Sequence, residues 1–245
     1  MLKSMLKVCC IFEPSADYIT NVQDDGFSEG DRNGTVLWMS EICRHSWQDV
    51  KTALSAINIF DRFLSKVKII PSKLKVVGAA CVIIVSRRAI SIDQMVQYNN
   101  RIPRDSYSEA DLTFWVRTIE STLCDLKGVL AMDIVYLLLD KIRLEESVKI
   151  VIINLVKQEL LERYENYYYL GYCVKTLVYT CLNISFSIYS IPYPYCQKYE
   201  RENFDENKSD IYSRPLLEML GIDNKTFEFR LAYRNIEECD NLCWN

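Results

Sequence analysis

Residues 60–65 read FDRFLS, and residues 74–87 read LKVVGAACVIIVSR. Apolar residues between Trp47 and Leu64 recur at steps of three, four and seven, which is the spacing of one helix face. Asp61 falls on that same face. Because burying an unpaired carboxylate costs several kcal/mol, the pattern predicts that Asp61 is both buried and paired.

The segment that follows admits two interpretations. Residues 81–85 (CVIIV) are mostly β-branched, and propensity alone favours a strand. The run over 74–88 has no turn signal, however, and its length favours a helix. Pro71 suits the first turn of that helix. Since the helix is apolar on nearly every side, we expect it to be central and buried.

Composition favours a helical protein. Glycine and proline are scarce, with 7 and 6 in 245 residues, and because they punctuate strands and turns their scarcity favours long helices. Helical patterns follow one another on both sides of a joint near Gly128. We predict an all-α protein of two consecutive five-helix bundles with a flanking N-terminal helix. The predicted domains are residues 1–21, 22–126 and 127–245.

Apolar periodicity and capping residues predict the individual helices. Polar residues 21–34 and 184–210 predict loops. Ser108, with Asp111 three residues later, predicts a capped helix start, and Gly221 predicts a helix stop. The predicted helices are 36–44, 47–64, 71–88, 91–100, 107–123, 131–143, 144–163, 166–183, 213–220 and 223–238.

Several functional classes are disfavoured. The chain has one histidine, His45, and its ten cysteines include no C-x-x-C pair, so we expect no metal site, no cofactor and no catalytic chemistry. A formal charge of −4 is not the signature of a nucleic-acid-binding protein. No apolar run approaches the roughly 18 residues of a membrane span. Lys3 and Lys7 interrupt the first apolar segment, so we expect an intracellular protein without a secretory signal.

Four segments together resemble the cyclin box in its D-type form. Residues 32–43 (RNGTVLWMSEIC) are similar to the first box helix, residues 60–65 to the signature in the second, and residues 74–87 to the third. Residues 123–133 (LCDLKGVLAMD) resemble the junction into the second repeat. The combination is most similar to the cyclins carried by gammaherpesviruses.

This resemblance implies a buried ion pair between Arg32 and Asp61, because their counterparts pair in cyclins. Arginine suits the position, since its planar fork can bond a carboxylate through two parallel hydrogen bonds. The alternative is a surface arginine and a solvated aspartate, and it conflicts with the helical phase of Asp61.

The resemblance also implies binding to a cyclin-dependent kinase. The counterpart of Arg87 in cyclins is a lysine that helps to hold the mobile helix of the kinase. Residues 61–88 carry seven cations and one anion, a net charge of +6 that can steer an acidic partner, although ordinary solvated charge has the same pattern. The predicted kinase-binding residues are Val76, Ile84, Arg87, Arg88, Trp115 and Glu120.

Two features depart from the family pattern. Trp115 stands where the family has an interface glutamate, and we expect it to supply apolar contact and cation–π stacking on Arg87. The alternative is that the polar contact is lost and kinase binding is weak. Glu120 is a carboxylate five residues further on, more than one helical turn away. The apolar substrate-docking patch of the first helix is degenerate. Its counterparts here are Asp31, Gly34, Thr35 and Trp38. Only Trp38 keeps the family's residue type, and the alternative for Trp38 is a place in the core.

We therefore expect a regulatory subunit, not an enzyme, that activates a host cyclin-dependent kinase of the D-type partner class and drives cell-cycle progression. We expect a monomer when free, in the nucleus and cytoplasm of the host cell, with neither nucleic acid nor membrane as a partner. The alternative is a cyclin-fold scaffold or transcription-associated module without kinase activation, in which the basic residues of 62–88 face nucleic acid.

Overall fold

The computed structural model describes residues 2–23, 26–46, 48–86, 89–99, 107–126, 128, 130–142, 144–189 and 219–221. Within these ranges the chain is helical and forms no strand, so the prediction of an all-α protein is confirmed. No helix in this part of the chain is long and apolar enough to cross a membrane. The α-helices are α1 (Leu2–Val8), α2 (Tyr18–Asn21), α3 (Glu29–His45), α4 (Val50–Leu64), α5 (Leu74–Val85), α6 (Ile92–Asn99), α7 (Glu109–Leu123), α8 (Ala131–Leu139), α9 (Glu146–Glu165) and α10 (Val174–Tyr189).

The chain divides into two compact units that are not contiguous in sequence. The first unit combines residues 11–128 with residues 161–171. The second combines residues 1–10 and 129–160 with the chain from residue 172 onward. The predicted N-terminal segment, residues 1–21, is split by this grouping, because residues 1–10 belong to the second unit and residues 11–21 to the first. The predicted domain limits stay predictions.

Helix α3 begins earlier than its apolar pattern suggests. Ser28 forms a capping box with Asp31: its Oγ accepts from the Asp31 amide at 3.2 Å, and its own amide donates to the Asp31 carboxylate at 2.9 Å. The box satisfies amides that have no partner at a helix start. The loop predicted over 21–34 is therefore wrong from residue 29 onward, and Arg32 lies within the helix rather than before it.

Helix α5 is the central element of the first unit. Residues 76–82 are all buried, so the helical interpretation of this segment is confirmed and the strand interpretation is wrong. Gly78 is what allows α3 to approach, because a Cβ at this position would lie 2.9 Å from the Met39 sulfur and 3.1 Å from the Thr35 methyl. Pro71 starts a short 3₁₀ turn, Pro71–Lys73, ahead of the helix.

A larger side chain at Gly78 is expected to destabilise the protein. Gly78→Val should lower the free energy of unfolding by about 1–3 kcal/mol, because the added methyl groups overpack the contact between α3 and α5. Gly34→Ala is the matched control, since no atom lies within 4 Å of a Cβ at Gly34. That change should raise stability by about 0.5–1 kcal/mol through helix propensity. Urea denaturation measures both values, and equal effects at the two glycines would contradict the close approach.

Helix α7 starts where the sequence predicts. Ser108 and Asp111 form a second capping box, with hydrogen bonds of 3.1 Å and 2.9 Å, so that prediction is confirmed. The hydrogen bonds from Ser108 hold the pKa of the Asp111 carboxyl below its usual value. The box sets the start of α7 and thereby the register of its exposed and buried faces.

The second unit is described in part. Helix α10 begins later than predicted, because Tyr167–Gly171 form a 3₁₀ helix, and it extends into the predicted loop as far as Tyr189. Gly221 has φ of +63°, a conformation that glycine adopts without strain, as expected at a helix stop. The predicted helices 213–220 and 223–238 otherwise lie outside the described residues.

Candidate functional site

Arg32 and Asp61 form a buried ion pair at the centre of the first unit. Arg32 Nη2 lies 2.7 Å from Asp61 Oδ2, and Nε donates to Oδ1 at 3.1 Å. The two side chains are 0% and 1% exposed. Tyr18 donates its hydroxyl to Oδ1 at 2.9 Å, and burial with the neighbouring carboxylate raises the pKa of that hydroxyl. The carboxylate therefore receives three hydrogen bonds, which offset the cost of burying its charge.

The same guanidinium also binds the C-terminal end of helix α9. Arg32 donates from Nη2 to the Tyr164 carbonyl at 2.7 Å and from Nη1 to the Glu165 carbonyl at 3.0 Å. Carbonyls in the last turn of a helix have no partner within the helix. Asn33 adds a link, because its Oδ1 accepts from both Arg32 Nη1 and the Tyr167 amide. Arg32 thus joins α3, α4 and the end of α9 within the first unit.

The predicted kinase-binding residues differ in their exposure, and two of them lie outside the described residues. Val76 is 4% exposed and belongs to the core, so its side chain is not available to a partner. Ile84 is half-buried near the end of α5. Arg87 and Arg88 lie outside the described residues, and their roles stay predictions. Glu120 is exposed, but five residues beyond Trp115 it points about 140° around the helix from it.

Trp115 packs against the core rather than standing free on the surface. Its ring is half-buried and meets the ring of Phe63 edge to face, with centroids 6.2 Å apart. The ring of Phe114 also meets the indole edge to face, with centroids 5.2 Å apart, and Phe114 is 60% exposed. Sequence patterns did not single out Phe114. The only sequence signal for Phe114 was its position next to Trp115 on a capped helix. Its exposure could not be predicted, because exposure depends on which other elements cover the side chain.

Removing the indole should therefore cost stability. Trp115→Ala is expected to lower the free energy of unfolding by about 2–3 kcal/mol, below the usual cost at a fully buried tryptophan because the ring is only half-buried. Trp115→Phe keeps an aromatic ring against Phe63 and should cost less than half as much. Urea denaturation of the three proteins tests this. An alanine variant as stable as the parent would mean that the ring contributes no packing.

The cations of the basic stretch are not all exposed. Lys66, Lys68 and Lys73 are exposed, whereas Arg62 is only 8% exposed. Arg62 donates to the Asp125 carbonyl at 2.7 Å, and its guanidinium lies 5.1 Å from the centre of the Phe12 ring. Burial lowers the pKa of Arg62. Arg62 is a structural link within the first unit and not part of a charged docking face.

The counterparts of the substrate-docking patch present little apolar surface. Asp31 is held in the capping box, and Gly34 offers no side chain. Thr35 is 5% exposed and donates its hydroxyl to the Asp31 carbonyl at 2.8 Å, while Trp38 is 9% exposed. Trp38 is therefore a core residue. Across the described ranges, no three His, Cys, Asp or Glu side chains are grouped so that they could hold a metal ion.

Comparison with known proteins decides the family. Residues 1–124 match the family model described as the N-terminal domain of cyclins, which is about half of the chain. The chain belongs to the cyclin family. The buried pair of Arg32 and Asp61 and the central helix α5 both lie within the matched residues. The match thus covers the part of the cyclin fold that the sequence indicated most strongly.

The chain is similar to two known cyclins. It is 27% identical over 149 residues to the G1/S-specific cyclin-D3 of Bos taurus, covering 59% of this chain and 49% of that protein. The chain thus spans about half the length of the curated relative that it matches. Its fold matches the crystal structure of a viral cyclin from herpesvirus saimiri, with a TM-score of 0.69, 17% identity, and 94% and 99% of the two chains covered. The predicted resemblance to D-type and viral cyclins is confirmed.

Proposed function

We propose that this cyclin binds a host cyclin-dependent kinase and activates it, and thereby promotes cell-cycle progression. The match of residues 1–124 to the cyclin N-terminal domain carries the proposal. Cyclins are regulatory subunits and not enzymes themselves. A protein of this kind acts by binding the active conformation of its kinase more tightly than the inactive one, which shifts the population toward the active state.

The geometry of the first unit supports this mechanism. Helices α5 and α7 pack side by side, and Arg32 locks α3 and α4 to the end of α9 through buried hydrogen bonds. A rigid surface stabilises one kinase conformation better than a flexible one does, because less ordering entropy is lost on binding. On this proposal the C-terminal end of α5, with Ile84 and the following Arg87 and Arg88, contacts the mobile helix of the kinase.

The decisive experiment is kinase activation by the purified chain. We expect it to bind at least one member of a panel of purified cell-cycle cyclin-dependent kinases and to raise phosphorylation of histone and retinoblastoma-derived peptides. A bovine cyclin-D3 preparation serves as the positive control. We also propose that the chain is a monomer before it binds the kinase and that it acts in the nucleus and cytoplasm of the host cell. Binding to no member of the panel would contradict it.

A second candidate function rests on the exposed lysines. Lys66, Lys68 and Lys73 lie close together in sequence and are exposed, which suits a scaffold that touches nucleic acid. Such binding weakens steeply as salt is added, because phosphate contacts release counterions. A DNA titration at several salt concentrations separates the two functions. Tight, salt-dependent DNA binding without kinase activation would favour the scaffold.

A further inference from the structure

The loop between α4 and α5, residues 65–73, is anchored by a buried side chain from a distant segment. Gln23 is 8% exposed, and its Nε2 donates to the Leu64 and Val67 carbonyls at 2.6 Å and 2.9 Å. Its Oε1 accepts from the Ile69 amide at 2.9 Å. One side chain thus satisfies three main-chain groups that would otherwise need water. The backbone of the loop is therefore fixed before a partner binds.

Side-chain exposure alternates along this loop. Val67 packs against the core, and Ile69 is 5% exposed, so both face inward. Lys66 and Lys68 are exposed, and Ile70 is 58% exposed. Successive side chains of an extended segment point to opposite sides, so these three outward side chains lie on one side of the loop. We call them the basic loop face.

The chemistry of this face selects its occupant. Two ammonium groups attract carboxylates, and the exposed isoleucine beside them offers apolar contact to an aliphatic side chain. Lys73 is a further exposed cation at the edge of the face. The pKa of Asp111 is lowered by its hydrogen bonds with Ser108 and also by the charge of Lys73, so part of the Lys73 charge is already balanced by that carboxylate. The centre of the face is therefore Lys66, Lys68 and Ile70.

A protein segment fits the basic loop face better than nucleic acid does. Residues 64–73 contain no aromatic side chain on which a base could stack. The chain as a whole has a formal charge of −4, which opposes a polyanion. The exposed Ile70 side chain would also gain nothing from a phosphate backbone. An acidic peptide with an aliphatic residue uses both the lysines and the isoleucine.

We propose that the basic loop face is a docking surface for an acidic segment of a partner protein, with an aliphatic side chain of that segment covering Ile70. The face adjoins the start of α5, whereas the proposed kinase contact lies at the end of this 12-residue helix, about 18 Å away. Both surfaces can therefore be occupied together. The inference goes beyond kinase binding and does not depend on it.

A short labelled peptide, with a central leucine between two pairs of glutamates, is the probe for the full chain. Fluorescence anisotropy should give a dissociation constant below about 1 mM. Lys66→Glu combined with Lys68→Glu should weaken binding at least about tenfold, because both contacts become repulsive. Ile70→Ser should weaken binding about threefold or more, since apolar contact is lost. Lys3→Glu, at an exposed lysine of α1, is the control and should bind like the parent.

A further pair of variants tests whether the anchoring of the loop matters. Gln23→Met removes the three hydrogen bonds and leaves the basic loop face chemically unchanged. We expect peptide affinity to fall about threefold or more, because a loosened loop loses more entropy on binding. Hydrogen exchange at the Ile69 amide should accelerate. Tyr18→Phe also removes one buried hydrogen bond, but away from this loop, and it should bind the peptide like the parent.

Several results would overturn the docking surface while leaving kinase activation untouched. These are no binding of the peptide, unchanged affinity in the double lysine variant, or equal affinity for a peptide with serine in place of leucine. A single-stranded oligonucleotide of the same net charge that binds more tightly than the peptide would make the face a nucleic-acid contact instead. An equal loss for Gln23→Met and Tyr18→Phe would show that general destabilisation, and not the anchored loop, sets the affinity.

Discussion

Arg32→Ala is expected to lower the free energy of unfolding by about 3–5 kcal/mol, the usual cost of removing one member of a buried ion pair. The change leaves the Asp61 carboxylate buried with only the Tyr18 hydroxyl as a partner. It also removes the donors to the Tyr164 and Glu165 carbonyls at the end of α9. Urea denaturation with far-UV circular dichroism measures the loss.

Removing both charges should restore part of this stability, but not all of it. Arg32→Met combined with Asp61→Leu eliminates the uncompensated charge, and such replacements are often nearly neutral in other proteins. Here the Tyr18 hydroxyl and two helix carbonyls would still lose the hydrogen bonds that the pair supplies, and an unsatisfied buried group costs about 1–3 kcal/mol. We therefore expect the double variant to fall between Arg32→Ala and the parent. Small and equal losses in the single and double variants would contradict a buried pair.

Arg87→Glu is expected to abolish kinase binding, with a loss of at least about a hundredfold, or 2.7 kcal/mol. The resemblance matches Arg87 to the kinase-contacting lysine of cyclins, so on the proposed function the charge reversal replaces attraction by repulsion. The thermal midpoint of the free chain should hardly change, because a charge at an interface rim contributes little to the stability of the free protein. Kinase affinity is measured by titration calorimetry, and activation by peptide phosphorylation.

Two controls make the effect of Arg87 specific. Arg88→Glu should weaken binding less than Arg87→Glu does. Lys66→Glu makes the same change of charge at an exposed position of the same basic stretch, and it should affect only the association rate at low salt. If Arg87→Glu activates the kinase at the same concentration as the parent, the role assigned by resemblance to the family lysine is incorrect.

Burial reassigns several residues that the sequence placed at a surface. Val76 shares the apolar character of a contact residue, yet it is covered by neighbouring helices of the first unit, and for Trp38 the core alternative is the one observed. Arg62 counts as a surface cation by charge alone, but Phe12 and the Asp125 carbonyl cover it. Conversely, Phe114 is apolar and remains exposed. Residue type predicts none of these outcomes, because each depends on which other element lies over the side chain.

The sequence by itself determined the features that arise from interactions within a few residues. These are the all-helical class, the capped start of α7 at Ser108, and the inward phase of Asp61 on α4. Helix periodicity and capping act over one or two turns, so they can be read from neighbouring residues. The cyclin-box resemblance added Arg32 as the partner of Asp61, 29 residues away.

Only the tertiary structure decided what those residues contact across the chain. The Asp61 carboxylate also binds Tyr18, 43 residues away, and Arg32 reaches the carbonyls of Tyr164 and Glu165, 132 and 133 residues away. Main-chain carbonyls carry no sequence signature, since every residue has one, and a predicted helix end does not show which distant donor will bind its last carbonyls. Arg32 meets these carbonyls because packing of the first unit brings the end of α9 against α3, where a buried guanidinium with five donors must find acceptors.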